Sequence, residues 1–158
     1  RGGTGTGFGG AGILTLSTSE LTIANGTDDV LGAILFQAPL ESDGSPDGIL
    51  PSAGIWATAE QSFHGSDNST SLHFATAASE TAKQIGNIRM TINAAGNVGI
   101  GLEPTANMVG LSVEAGCVTL KERATPTADT NYGKIYTKTD NKLYFQDGAG
   151  TEHEISFA

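Results

Sequence analysis

Closely spaced glycines occur in two stretches of this chain, and such spacing can serve to bind phosphate. Residues 5–10 (GTGFGG) match the glycine spacing of the dinucleotide-binding fingerprint, but no strand precedes them, and the motif requires one. In residues 93–105 (NAAGNVGIGLEPT), Gly99 and Gly101 would need a third glycine where Pro104 stands, and no Gly-Lys-Ser/Thr follows. We therefore predict no nucleotide cofactor. The second stretch is better explained as a strand that bares its backbone on one face for close packing.

Histidine and carboxylate side chains could bind a metal ion or catalyse hydrolysis, but their spacing selects neither role. His153 lies between two glutamates, so on a strand the imidazole faces one way and both carboxylates face the other. Three copies of His153 around a three-fold axis could form a metal site, whereas the simpler interpretation is a solvated edge strand. The acidic loop at residues 41–47 lacks the spacing of a calcium-binding loop. No carboxylate pair or serine-histidine-acid set is singled out, so we assign no catalytic or metal residue and expect no enzyme.

The composition indicates a chain that buries its apolar surface against other chains. Its 158 residues include 22 glycines, while Leu, Ile, Val and Phe together number only 34. This is close to the composition of chains that cannot bury a core of their own, so we expect oligomerisation. The net charge of −9 disfavours binding to nucleic acid or to an anionic membrane surface. No run is long enough to span a bilayer, and the single cysteine, Cys117, excludes an internal disulfide.

Short runs of alternating apolar residues predict an all-β chain. Strands are expected within residues 13–25, 30–39, 54–63, 71–77, 87–93, 97–102 and 111–122, with the run 30–39 buried on both faces. Residues 77–84 (AASETAKQ) are the one plausible helix. A three-stranded meander is expected over residues 134–138, 142–146 and 151–157. Its first turn, Asp140-Asn141, would supply the two left-handed positions of a tight hairpin.

Several of these segments resemble known sequence modules. RMTI at residues 89–92, followed by GNVGIG at 96–101 and by Pro104, resembles a signature of bacteriophage tail-fibre and other virion fibre proteins. The stretches DDVLGAILFQAP and LHFATAAS, and the ending YGKIYTKTDNKLYFQDGAGTEHEI, are similar to modules of the same fibres. Together they cover most of the chain in matching order. Leu102 and Glu103 replace the threonine and serine that usually precede the proline.

The resemblance implies a homotrimer of intertwined, β-rich fibre shaft modules that ends in a small C-terminal β-meander knob. On this basis the chain comprises a glycine-rich neck (1–12), a fibre module (13–104), a β connector (105–123), a linker (124–131) and the meander (132–158). In the trimer, Gly99 and Gly101 would let three backbones approach closely, while Val98 and Ile100 would fill the seams between chains. Leu143 and Phe145 of the meander would be buried against the other two copies.

The resemblance also implies a structural virion protein, assembled in the bacterial cytoplasm, that supports or performs attachment to the host. Its partners would be other tail or capsid proteins and a glycan or protein of the host surface. The candidates for surface recognition are Trp56, His64, Asp67 and Asn68. Two alternatives stay open: a tailspike enzyme that degrades capsule or lipopolysaccharide, and a fibre or decoration protein attached to the capsid. No cofactor, nucleic acid or membrane insertion is expected.

Overall fold

The computed structural model describes residues 13–24, 29–38, 50–78, 87–105, 107–114 and 117–156. Within these residues the chain is all-β, as the sequence predicts, with nine strands in two sheets and no helix. The chain divides into two compact units, Arg1–Gly116 and Cys117–Ala158, and each unit holds one sheet. The predictions for the neck (1–12), the acidic loop (41–47) and most of the 77–84 helix lie outside the described residues.

The N-terminal unit holds a six-stranded sheet whose strands follow one another in chain order. They are β1 (Val30–Phe36), β2 (Ala53–Ala59), β3 (Thr70–Thr76), β4 (Ile88–Ile92), β5 (Val98–Ile100) and β6 (Leu111–Val113). Neighbouring strands are antiparallel from β1 to β5, and β6 then pairs parallel to β5. Each apolar run predicted between residues 30 and 102 therefore contributes a strand.

Two predicted strands are not formed. Residues 13–24 lie outside the sheet, and their contact with it includes the hydrogen bond from the Phe63 N–H to the Ile23 carbonyl at 3.0 Å. Residues 117–120, expected to pair after Gly116, are also outside any strand. Alternation in a sequence indicates a backbone that could pair, but it does not show that a strand edge is available beside it.

Strand β1 is exposed, although its continuous apolar run predicts burial on both faces. Val30, Ile34, Leu35 and Phe36 are all more than a third exposed. The reason is position, because β1 lies at the edge of the sheet and pairs only with β2. A short apolar run is typical of a central strand, and the sequence alone does not distinguish the two positions.

The sheet buries the face that carries Trp56. Trp56 is 8% exposed, and its ring centroid lies 5.7 Å from that of His73 on the next strand. His73 Nε2 is 2.8 Å from Thr58 Oγ1, and its Nδ1 is 3.1 Å from Thr91 Oγ1. These contacts satisfy the polar atoms of a buried imidazole, which would otherwise destabilise the interior. Hydroxyl groups and one indole thus occupy the side of the sheet where aliphatic residues usually pack.

Three hairpin turns share one construction. In Asn93–Asn97, Lys138–Lys142 and Asp147–Thr151, the first residue's N–H donates to the fifth residue's carbonyl, and the fourth residue has a positive φ. This is the three-residue loop in which a type I turn is followed by a left-handed residue. In the second turn only Asn141 is left-handed, with φ 61°, so the prediction that Asp140 shares this conformation is wrong. The Asp140 carboxylate instead accepts the N–H of Lys142 at 3.2 Å.

The GNVGIG segment carries the chain from β4 through β5 to the parallel strand β6. The side chain of Asn97 anchors this step, because its Oδ1 accepts the N–H of Gly110 at 3.0 Å. A methyl group on Gly99 would overlap the carbonyl oxygen of Leu102 and would lie 3.0 Å from Pro104 Cδ. Gly101 has φ +80°, a conformation that favours glycine. The two glycines are thus required within a single chain, one for space and the other for its backbone angle.

The C-terminal unit is an antiparallel meander of β7 (Lys134–Thr137), β8 (Leu143–Gln146) and β9 (Glu152–Ile155). Tyr136 and Tyr144 stack on one face with ring centroids 5.9 Å apart, and both are buried. The cation of Lys138 lies 4.8 Å from the centroid of the Tyr144 ring. This face therefore holds the small core of the unit.

Residues 120–127, which we call the covering segment, follow the β7 edge of the meander, and residues 125–127 are bonded to the tyrosine side. Gln146 Nε2 donates to the Pro126 carbonyl at 2.9 Å, and the Arg123 N–H donates to the Thr137 carbonyl at 2.9 Å. The hydroxyl of Thr125 donates to Glu152 at 2.7 Å. Much of the segment predicted as a linker at 124–131 is thus bonded to the meander, and the division between units falls after Gly116.

Candidate interaction surface

The face of the six-stranded sheet opposite Trp56 is apolar on every strand. One row of cross-strand neighbours runs Ile34, Ile55, Phe74, Met90, Ile100 and Val113. The adjacent row runs Gly32, Ala57, Leu72, Ile92, Val98 and Leu111. We call these twelve positions the apolar face. No polar side chain interrupts either row.

The apolar face is largely open in the single chain. Ile34 is 45% exposed, Leu72 37% and Leu111 66%, and the other large side chains of both rows are partly exposed. Among the described residues, Leu14 and Leu16 cover one end and line a cavity there with Ile55 and Leu72. A side chain at Gly32 would lie 2.9 Å from Leu16 Cβ. A large contiguous apolar patch on a soluble protein is often a site of interaction.

The apolar face follows from the two-residue period of the strands. In β3, Leu72 and Phe74 point to the open side, while Ser71, His73 and Ala75 point to the buried side. The register places Ile55 of β2, and Met90 and Ile92 of β4, on the same open side. The sequence therefore puts its aliphatic residues on the side that the single chain leaves uncovered.

Two charged side chains of the N-terminal unit, Glu60 and Arg89, are fixed by hydrogen bonds and lie outside the twelve positions of the apolar face. Glu60 Oε1 accepts the hydroxyl of Ser71 at 2.6 Å and the N–H of Ala94 at 2.7 Å, which ties the β4–β5 turn to β3. Arg89 donates from Nη2 to the Thr76 carbonyl at 2.9 Å. A surface without charge is well suited to contact another copy of an acidic chain, because like charges would repel at the contact.

The four predicted trimer-packing residues of the GNVGIG segment separate into two groups. Val98 and Ile100 belong to the apolar face, where they are open to contact. Gly99 points to the other side and is closed off by Leu102 and Pro104 of its own chain, so the close approach it permits is within the chain. Gly101 makes the turn after β5. Contact of any of the four with another chain stays a prediction.

The meander likewise has one covered face and one open face. Ile135, Phe145 and His153 form a cross-strand row, and Thr137, Leu143 and Ile155 form the next. We call these six positions the meander face. Phe145 packs over Gly133, where a side chain would lie 2.6 Å from Phe145 Cζ, and its ring stacks 6.3 Å from that of His153. The predicted packing residues Leu143 and Phe145 thus lie on the open side, beside the exposed Ile135 and Ile155.

The four candidates for surface recognition are placed differently. Trp56 is buried beside His73, so its display on the surface is not supported and that prediction is corrected here. His64 and Asn68 are exposed in the β2–β3 loop. Asp67 turns this loop by accepting the N–H of Ser69 at 2.9 Å and its hydroxyl at 2.8 Å. These hydrogen bonds, the backbone one first, lower the pKa of the Asp67 carboxyl. Asp67 is therefore a structural residue of an exposed loop.

The described residues do not gather a cluster of metal-ligating side chains. In the part of the chain that the structure describes, no three His, Cys, Asp or Glu side chains lie close enough to hold a metal ion. His153 Nε2 lies 3.6 Å from Asp147 Oδ2 at the surface. The Glu152 carboxylate accepts hydrogen bonds from the hydroxyls of Tyr136 and Thr125 and forms an ion pair with Lys138. The bond from Tyr136, followed by the bond from Thr125, lowers the pKa of Glu152. Across the described ranges, no helix has the length and apolar character to cross a membrane.

Sequence reasoning missed most of the apolar face. Ile55, Leu72 and Phe74 were not singled out, because strand registers are needed to see that their side chains form continuous rows. The available signal was the alternation of β3 and β4, in which Leu72 and Phe74, and then Met90 and Ile92, are two residues apart. No protein-family model matches the chain, and no curated protein is similar to it.

Proposed function

We propose that this chain is a structural, non-enzymatic segment of a bacteriophage tail fibre that works as a homotrimer. The observation that carries the proposal is the apolar face, whose two uninterrupted rows lie open in the single chain. The resemblance of residues 89–104 and of the C-terminal stretch to fibre modules supplies the biological setting. In this proposal the trimer supports or performs attachment to the host surface.

The size of the apolar face supports association between copies. Neighbouring strands lie about 4.8 Å apart and alternate side chains about 7 Å apart, so six strands and two rows give a footprint of about 400 Å². This is in the range of the largest apolar patches on soluble proteins, about 300–600 Å², and such patches are often functional. Association of identical copies would remove this surface from water without bringing their charges together.

Replacing Leu72 by glutamate tests this role of the apolar face. Leu72 lies on the central strand β3 and is partly exposed, so the single chain can accommodate a longer polar side chain there. In an assembly, an unpaired carboxylate on each chain would be buried, which costs several kcal/mol per charge. We expect Leu72→Glu to weaken association by at least about 100-fold, since about 1.4 kcal/mol corresponds to a factor of ten.

Sedimentation velocity over a concentration series is the measurement, with circular dichroism to verify that the sheet remains. Gln61→Glu is the matched control, because it adds the same charge at an exposed position outside the apolar face. The unmodified protein and the control should sediment as trimers, and Leu72→Glu as a folded monomer. A folded monomer for the unmodified protein would refute the proposal, and a stable Leu72→Glu trimer would refute the role of this face.

A further inference from the structure

We propose that the meander face is a second self-association surface, which meets the same face of other copies of this chain. Its positions are Ile135, Thr137, Leu143, Phe145, His153 and Ile155. The inference rests on the proposed function for the presence of other copies. It assigns to the C-terminal unit a contact of its own, separate from that of the six-stranded sheet.

The opposite face of the meander is not available to a partner. Tyr136, Tyr144 and Gln146 on that side are buried, and the covering segment is bonded to them and to their neighbours. The hydroxyl of Tyr136 donates to Glu152, and Lys134 Nζ donates to the Thr127 carbonyl of the covering segment. Any protein that docks flat on the meander sheet must therefore use the meander face.

The meander face is apolar and exposed. Ile135 on the edge strand β7 is 62% exposed, and Phe145 on the central strand β8 is 38% exposed. The buried part of this three-stranded sheet is small, with Tyr136 and Tyr144 as its apolar residues. The unit also has no disulfide, because the chain has a single cysteine. Burial of the meander face would add to the stability of the unit.

The distribution of charge favours an identical copy as the partner. The ion pairs Lys138–Glu152 and Lys142–Glu154 both belong to the tyrosine side of the sheet, so they do not face the meander face. On the meander face, His153 is accompanied by Asp147 at 3.6 Å. A strongly charged partner would find few opposite charges there, whereas two copies of the same face present apolar surface to each other.

The area of the two open faces gives a second argument. Three strands and two rows give the meander face a footprint of about 200 Å². This is well below the roughly 800 Å² of accessible surface that each partner buries in a standard interface. The meander face is too small to hold copies together alone. Copies joined through the larger face would bring it to a high effective concentration, so that it associates intramolecularly.

Site-directed cross-linking in the full chain tests the proposal. In a Cys117→Ser background, Ile135→Cys places a thiol on the meander face, and Lys142→Cys places one on the tyrosine side of the same sheet. Both positions are exposed, so neither change should disturb the fold of one chain. We expect mild oxidation to convert Ile135→Cys into covalent dimers within the assembly, with at least a tenfold slower reaction for Lys142→Cys. Denaturing gels measure the product, and sedimentation of the same samples reports the oligomeric state.

The two measurements separate the possible failures. If both variants sediment as trimers and Ile135→Cys reacts no faster than Lys142→Cys, the meander face is not an interface, while the trimer itself stands. If the unmodified chain is a monomer, both this inference and the proposed function are wrong. Rapid cross-linking of Lys142→Cys in place of Ile135→Cys would assign the contact to the tyrosine side and overturn the inference.

Discussion

The reason for a glycine at position 99 can be tested by adding a single methyl group. Gly99 is buried in β5, and a Cβ there would overlap the carbonyl oxygen of Leu102 and lie 3.0 Å from Pro104 Cδ. Neither neighbour is the flexible end of a long side chain, so the loop itself must move. Gly99→Ala should therefore destabilise the fold of each chain without reference to any other copy.

The expected cost follows from the strain of inserting a group into a packed site. Overpacking of this kind costs about 1–3 kcal/mol. A loss of about 2 kcal/mol in the free energy of unfolding should lower the melting temperature of a chain of this size by about 4–8 °C. Gly65→Ala is the matched control, because no atom lies within 4 Å of the Cβ position at Gly65. It should melt like the unmodified protein.

Thermal unfolding followed by circular dichroism, at one protein concentration for all three proteins, measures the difference. Sedimentation well below the melting temperature should show the same oligomer for Gly99→Ala as for the unmodified protein, because the strain lies within one chain. An unchanged melting temperature would refute the account of the Leu102 contact. Loss of the oligomer with an intact sheet would instead place Gly99 at a contact between chains.

Three further outcomes concern the C-terminal unit, and protection from protease measures the first and third. The Tyr136 hydroxyl lowers the pKa of Glu152 below 4.5, so this carboxylate stabilises the unit above pH 4.5 and ceases to do so as the pH falls through the lowered value. Glu152→Gln should therefore weaken protection at neutral pH and flatten its loss in acid, whereas Glu122→Gln, at an exposed site, should match the unmodified protein. Burial, and then the bond to Glu152, raises the pKa of Tyr136 from 10.0 to about 12. The neutral phenol therefore stabilises the unit below pH 10, and this contribution should be lost as the pH rises towards 12. Phenolate absorbance should show the late ionisation, and Tyr136→Phe should remove part of the alkaline unfolding transition. Gly150 has φ 95°, so Gly150→Ala should destabilise the β8–β9 turn by about 1–3 kcal/mol, and normal protection would contradict that.

The sequence predicts the strands of this protein well where the signal is local. NIRMTIN alternates over a full strand, and the structure forms β4 at Ile88–Ile92 within it. The C-terminal meander is also predicted, because two turn sequences separate three short alternating runs. The all-β class follows from the same two-residue period, which needs no knowledge of distant contacts.

The sequence could not show which face of each strand is buried. Trp56 is the largest side chain of β2 and suggests a display position, yet the structure buries it beside His73. Ile55 and Phe74 suggest a core, yet they lie on the open side. Both outcomes depend on which strands neighbour one another and on what covers each side, and those are properties of the whole fold.

The candidate surface was harder to predict for the same reason. Val98 and Ile100 were identified from a short motif, but the other positions of the apolar face come from strands more than ten residues apart in sequence. The explanation of Gly99 also required the position of Leu102, because alternating glycines look the same whether they make room for another chain or for their own. Turn geometry, register and covering loops together determine these roles.

The one-sided sheet has a consequence for how the protein accumulates during synthesis. The first five strands pair with their neighbours in chain order, and such local pairings form quickly, so a newly made chain can complete its sheet before it meets a second one. Until the chain meets its partners, its apolar face is exposed to other unassembled chains, and productive assembly competes with aggregation. The yield of intact protein should then depend on the rate of translation and on temperature. Slow synthesis in the cold favours ordered encounters, whereas a burst of warm expression favours insoluble deposits.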